Sequence, residues 1–250
     1  MAVSHILLRR GRPLYHSITI GNDSVSKNTW NDWHLIPESR PLFNPPSVKF
    51  NYVDIPGADG SLDLTTVMTG KPLYENRTGS WTFIAENGYR EWQKLYSDIS
   101  VYLHGRKFRA TLEDDPEFYY EGRFSVNQWR SDPYWSKIVI DYNVDPYKHY
   151  TLGEDKWLWD TFCFLTDSIR HYSDLVVIGT LDVSVKGDVM DAIPVFISSV
   201  DGLVLTYGGI VKRLPLGASQ YDDIVVHEGE NPMHFDGYGT ISIRIEGGRL

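Results

Sequence analysis

Glu113, Asp114, Asp115 and Glu117 form the densest cluster of acidic side chains in the chain. Two carboxylates that flank a glycosidic bond can serve as acid and base, and clustered carboxylates can hold calcium. Neighbouring side chains on an Asp-Asp-Pro turn diverge, however, and the spacing is not that of a calcium loop, so the reading is a solvated turn. Asp54, Asp59 and Asp63 do not fall at the alternating positions a calcium loop needs, and read as turn formers. The eight histidines are scattered, with no His-x-x-x-His or Cys/His spacing for zinc. No Gly-x-Ser-x-Gly elbow or phosphate loop occurs. The single cysteine, Cys163, sits between Phe162 and Phe164 and reads as an inert buried thiol. The expectation is no catalytic residue, no metal and no cofactor. Trp157 and Trp159 are candidate surface contacts for a sugar, though aromatic area serves packing first.

The elements that carry these residues are mostly strands. A chain of 250 residues that is 42% hydrophobic and 14% aromatic, with sixteen Tyr and eight Trp, has ample material for one large or two ordinary cores. The net charge of −9 argues against wrapping nucleic acid through a phosphate-neutralising surface. That charge is uneven: residues 1–145 carry 16 basic and 18 acidic side chains, whereas residues 146–250 carry 8 and 15. The second half is the acidic one, as expected of a separate domain. No window reaches the length of a membrane span, and the N-terminal apolar run is too short for a secretory signal, so no membrane insertion is expected.

The stretch from Val48 to Trp81 organises the first half. Val48, Phe50 and Tyr52 alternate with Lys49, Asn51 and Val53, the period of a half-buried strand. Pro56-Gly57 and Asp59-Gly60 turn the chain, and Leu62 and Leu64 resume the alternation until Thr69-Gly70-Lys71-Pro72. A strand over residues 16–21 precedes this hairpin, and others follow over 79–86, 107–112, 119–129 and 136–144. One helix is predicted over residues 88–104, with Asn87 as its N-cap and Trp92, Leu95, Tyr96, Ile99 and Leu103 on one stripe. Gly105 is its stop. Pro146 marks the boundary, which gives domains at 1–145 and 146–250.

Beyond Pro146 the pattern is short strands separated by turn residues. They are expected over 175–180, 181–186, 193–200, 203–207, 210–214, 224–227 and 240–246. Regular short strands with no helix point to a second β-sandwich, of jelly-roll type. The fold class is therefore mainly β, with two β-sandwich domains, the first carrying a long hairpin and one packed helix.

The run NPPSVKFNYVDIPGADGSLDLTTVMTGKPLYENRTGSWTF (residues 44–83) resembles the distal tail proteins of siphophages, the bacteriophages with long non-contractile tails. The resemblance continues through LYSDISVYLHGRKFRATLEDDPEFYYEGRFSV (95–126) and SDPYWSKIVIDYNVDPYK (131–148), and is looser over 149–250. It implies a structural virion protein at the distal end of the tail, assembled in the bacterial cytoplasm. Six copies would form a ring that lies between the tail tube protein and the tail-tip hub, a tail-associated lysin or a tail fibre protein. Genome DNA would pass through the ring without specific binding. It also implies that the first domain builds the ring through its hairpin and that the second is a peripheral galectin-like sandwich. A long arm that some relatives insert in that second domain to grip receptor-binding proteins is not visible here.

A closed ring needs two different complementary surfaces on each subunit. The hairpin is the expected supplier, with Val48, Phe50, Tyr52, Leu62, Leu64 and Val67 as interface residues. The alternative from another class is a carbohydrate-binding host-adhesion module that uses the second sandwich.

Overall fold

The computed structural model describes residues 15–86, 88, 90–131, 135–151 and 172–250. Trp157, Trp159, Cys163 and Asn87 lie outside the described residues. The chain divides into two compact units, 1–146 and 147–250. Both are β structures, each a curled sheet, and the first adds one helix.

Unit 1 contains β1 (Ile18–Gly21), β2 (Ser26–Asn28), β3 (Leu35–Pro37), β4 (Tyr52–Asp54), β5 (Ser61–Asp63), β6 (Arg77–Ala85), α1 (Trp92–Leu103), β7 (Lys107–Leu112), β8 (Asp115–Ser131) and β9 (Ser136–Val144). Seven of the strands form a sheet in the order β2-β1-β7-β8-β9-β6-β3, antiparallel throughout. Simple alternation places its core. Ile138, Ile140, Tyr142 and Val144 of β9 are buried, as are Trp81, Phe83 and Ala85 of β6 and Phe108, Ala110 and Leu112 of β7. Each such strand turns every second side chain inward.

The helix closes the same core with Trp92, Leu95, Ile99 and Leu103 of the predicted stripe, while its fifth member, Tyr96, is only half-buried against that core. It is shorter than expected at its start. Its N-cap is Glu91, without a side-chain cap bond, while the C-terminal stop is as predicted: Gly105 adopts φ +79°. Tyr102 ties α1 to the sheet, its hydroxyl donating to the Ile20 carbonyl at 2.9 Å. β8 begins at Asp115, earlier than the sequence suggested, so Pro116 lies inside a strand. Irregular register with β7 accommodates it there, because proline has no N–H for a regular ladder.

Unit 2 contains β10 (Lys148–Tyr150), β11 (Leu175–Gly187), β12 (Val195–Ser198), β13 (Leu203–Tyr207), β14 (Ile210–Leu214), β15 (Gly217–Gln220), β16 (Gly229–Arg244) and β17 (Gly248–Arg249). The main sheet runs β14-β13-β16-β12-β15, with β11 along the other edge of β16. Its core includes Phe196, Leu203, Leu205, Phe235, Ile241 and Ile243.

Two expectations are corrected here. Residues 175–187 form one strand, not two, because Gly179 bends the chain at φ +77° opposite Gly237 at φ +129° while the ladder continues. Residues 224–227 form no strand; Val226 makes only an isolated bridge to Ala192. Asn231, which is buried, holds the loop before β16. Its Nδ2 lies within 3.1 Å of the carbonyls of Val185, His227 and Gly229, and its Oδ1 accepts from the His227 amide at 3.1 Å.

Candidate assembly surface

β4 and β5 form a two-stranded ribbon separate from the main sheet, with Tyr52 opposite Asp63, Val53 opposite Leu62 and Asp54 opposite Ser61. Local chemistry sets its shape. The Ala58 amide donates to the Ile55 carbonyl across Pro56-Gly57, and Gly57 takes φ +83°, the turn that needs proline second and glycine third. Gly60 takes φ +76° and closes the loop. At the base, Val48 bridges to Tyr74, and Lys49 donates to the Leu73 carbonyl at 2.8 Å. The Asp63 carboxylate accepts from the Thr65 amide at 2.8 Å. The Thr65 side chain and amide together hold that carboxyl below its ordinary range.

This arm has ladder and turn bonds but no core. No residue from 48 to 74 belongs to the buried cluster of unit 1. Phe50, Tyr52, Val53, Ile55, Leu62, Val67, Met68 and Leu73 are all exposed, Met68 to 91%. A lone two-stranded ribbon in water is marginal, and contiguous exposed apolar side chains mark an interaction surface.

Of the six residues proposed from sequence, Phe50, Tyr52, Leu62 and Val67 are exposed on the arm and Leu64 is half-buried. Val48 is half-buried at the base. The predicted half-buried strand is corrected: β4 spans only three residues, all exposed, because nothing from the main sheet covers either face. The register also separates the six residues. Residues directly opposite share a face, so Leu62 lies with Val53, and Tyr52 lies with Phe50, whose ring centroid is 5.7 Å away. The arm is therefore apolar on both faces. Val53, Ile55, Met68 and Leu73 were not among the predicted residues, yet the sequence held the signal. An apolar residue on the nominally polar side of an alternating strand shows that neither face is meant for water.

The acidic cluster is not a solvated turn. Arg40 Nε donates to Asp114 at 2.8 Å, and His16 Nδ1 lies 2.8 Å from the same carboxylate. Glu113 accepts from the amide and hydroxyl of Ser17 at 2.9 and 3.0 Å. Two of the four acids thus tether the chain ahead of β1 and the connector after β3. Burial pushes the Asp114 carboxyl up, but bonds to His16 and Arg40 outweigh it and leave the group below its ordinary value. A carboxyl depressed on folding contributes stability above its unfolded value of about 3.9, lost as pH falls through the lower folded value. Wild-type unit 1 is therefore expected to lose stability below about pH 4, and Asp114→Asn to show a flatter acid limb in thermal melts. Identical acid limbs would refute the tether. Among the described residues, no three His, Cys, Asp or Glu side chains converge to hold a metal ion.

The fold is similar to that of SPP1 Dit (gp 19.1), whose crystal structure is described as a paradigm of the hub adsorption apparatus in phages that infect Gram-positive bacteria. The TM-score is 0.58 at 14% identity, over 93% of this chain and 99% of that one. The likeness is one of fold, and it includes both units. No family model matches the chain, and no curated protein matches it.

Proposed function

We propose that this chain is a structural, non-enzymatic component of a phage tail. Six copies close a ring at the distal end of the tail tube and join it to the tail-tip adsorption proteins, leaving a channel for the genome. The observation that carries this reading is the fold likeness to a hub protein along nearly the whole of both chains. The arm supports it independently, since a ribbon with two apolar faces and no core of its own requires a neighbour. A heterologous contact of arm with neighbour, repeated after a fixed rotation, closes a ring and leaves no arm exposed. The net charge of −9 suits a channel that DNA must leave freely, because a surface of that sign offers phosphates no counterion release.

The test is the solution mass by light scattering over a concentration series. Six copies of a 28.7 kDa chain give a particle of about 172 kDa, the expected result for a closed ring. A monomer at every concentration, unchanged by added tail tube protein, would overturn the ring.

A further inference from the structure

Unit 1 carries an open cleft of about 500 Å³ on the sheet face turned away from the core. Ile18 and Ile20 point inward, so Ser17 and Thr19 point to the other side. The register places Asn28, Thr19 and Thr111 in one row across three strands of that face. Tyr15 and Trp30, stacked with ring centroids 3.8 Å apart, form an aromatic wall.

The polar groups are fixed before any ligand arrives. Asn28 Oδ1 accepts from the amides of Trp30 and Asn31, each at 3.0 Å, and its Nδ2 lies within 3.1 Å of the Ser17 and Thr19 hydroxyls. Glu113 spends Oε2 on Ser17, which leaves Oε1 as an acceptor. His16, between Tyr15 and Ser17, is held at φ +50°, and His34, against the Trp30 ring, at φ +51°. Left-handed backbone at two non-glycine residues beside one cleft is strain of the kind that persists where positions must be held.

We propose that this cleft binds a neutral pyranose. Asn28 is fully bonded within the protein, so the Thr19 and Thr111 hydroxyls, the Asn31 side-chain amide and Glu113 Oε1 supply the donors and acceptors for sugar hydroxyls. An aromatic wall offers an apolar surface to the C–H face of the ring. The lining has one carboxylate and no Lys, Arg or His, so phosphorylated and acidic ligands are repelled. The site is built from residues of unit 1 alone.

Saturation-transfer NMR on the full chain tests this, with methyl glycosides of glucose, galactose, N-acetylglucosamine and rhamnose as probes and glucose 6-phosphate as the anionic counterpart. Transfer to at least one neutral glycoside is expected, with a Kd on the order of 1 mM, and none to glucose 6-phosphate. Trp30→Ala, and separately Thr111→Lys at a half-buried strand position outside the core, weaken binding by about tenfold or more; Tyr238→Ser in unit 2 leaves it unchanged. Thr111→Lys replaces a strand residue outside the core, so it remains informative if Trp30→Ala fails to fold. No transfer from any glycoside, transfer that survives both cleft variants, or equal transfer from the phosphate ester overturns the proposal.

Discussion

Leu62→Asp combined with Val53→Lys is expected to reduce the proposed ring of about 172 kDa to the 28.7 kDa monomer while the unfolding temperature stays where it was. The two positions face each other across the ribbon. Opposite charges placed there form a favourable cross-strand pair, so the free arm keeps its shape. In an interface the same pair removes two apolar side chains worth about 2 kcal/mol each on burial and asks the neighbour to desolvate two charges. That loss is repeated at every contact of a closed ring. Stability of the monomer does not change because neither side chain touches a core, and such surface changes stay within about 0.5 kcal/mol.

Val101→Asp, on the exposed side of α1, is the matched control and should leave the mass at six copies. A ring that survives the arm variant would show that the ribbon is not its interface. A monomer with a lowered unfolding temperature would show that the arm belongs to the fold instead. Phe50→Asp asks separately whether the second face of the ribbon is used.

Arg77→Met is expected to do the reverse and cost stability, about 3 kcal/mol, with a fall in the unfolding temperature of roughly 10 °C. Arg77 opens β6 and is buried. Its Nε donates to the Pro146 carbonyl at 2.8 Å and its Nη1 to the Asn44 carbonyl at 3.1 Å, while the guanidinium carbon lies 5.4 Å from the Tyr120 ring centroid. One side chain thus pins the connector before the arm and the end of unit 1. Burial draws its pKa down, yet a guanidinium remains charged throughout the ordinary pH range. Methionine matches the aliphatic stem but leaves two part-buried carbonyls without their charged donor, and hydrogen bonds to a charged group contribute about 1.5–3 kcal/mol each. Calorimetry of the variant against wild type reads the effect. An unchanged melt would mean that water replaces the guanidinium without loss.

The sequence carried most of the first unit in its periodicities. Alternation located β6, β7 and β9 because each has one face in the core and one in water, and the Trp92-Leu95-Ile99-Leu103 stripe located α1 for the same reason. The same logic misjudged the arm. Val48, Phe50 and Tyr52 alternate as a half-buried strand does, but alternation reports only that side chains point two ways, and here both ways lead to solvent in the free chain. It also divided residues 175–187 between Thr180 and Leu181, just past Gly179, where the ladder bends without breaking.

Local conformation was legible in the order of residues: turn glycines, strand alternation, the helix stop, the hairpin and the uneven charge. Each depends on neighbours a few residues apart, whose sterics and burial preferences are written in order along the chain. The tertiary structure alone decided which distant groups meet. Asp114 finds His16 and Arg40 across separations of 98 and 74 residues, and Arg77 finds the Pro146 carbonyl across 69. The row of Asn28, Thr19 and Thr111 exists only because β1 pairs with β2 on one side and β7 on the other. Hydrogen bonds and charges act over a few ångströms, so which acid is solvated and which is a clamp was settled only when the sheet brought its partner alongside.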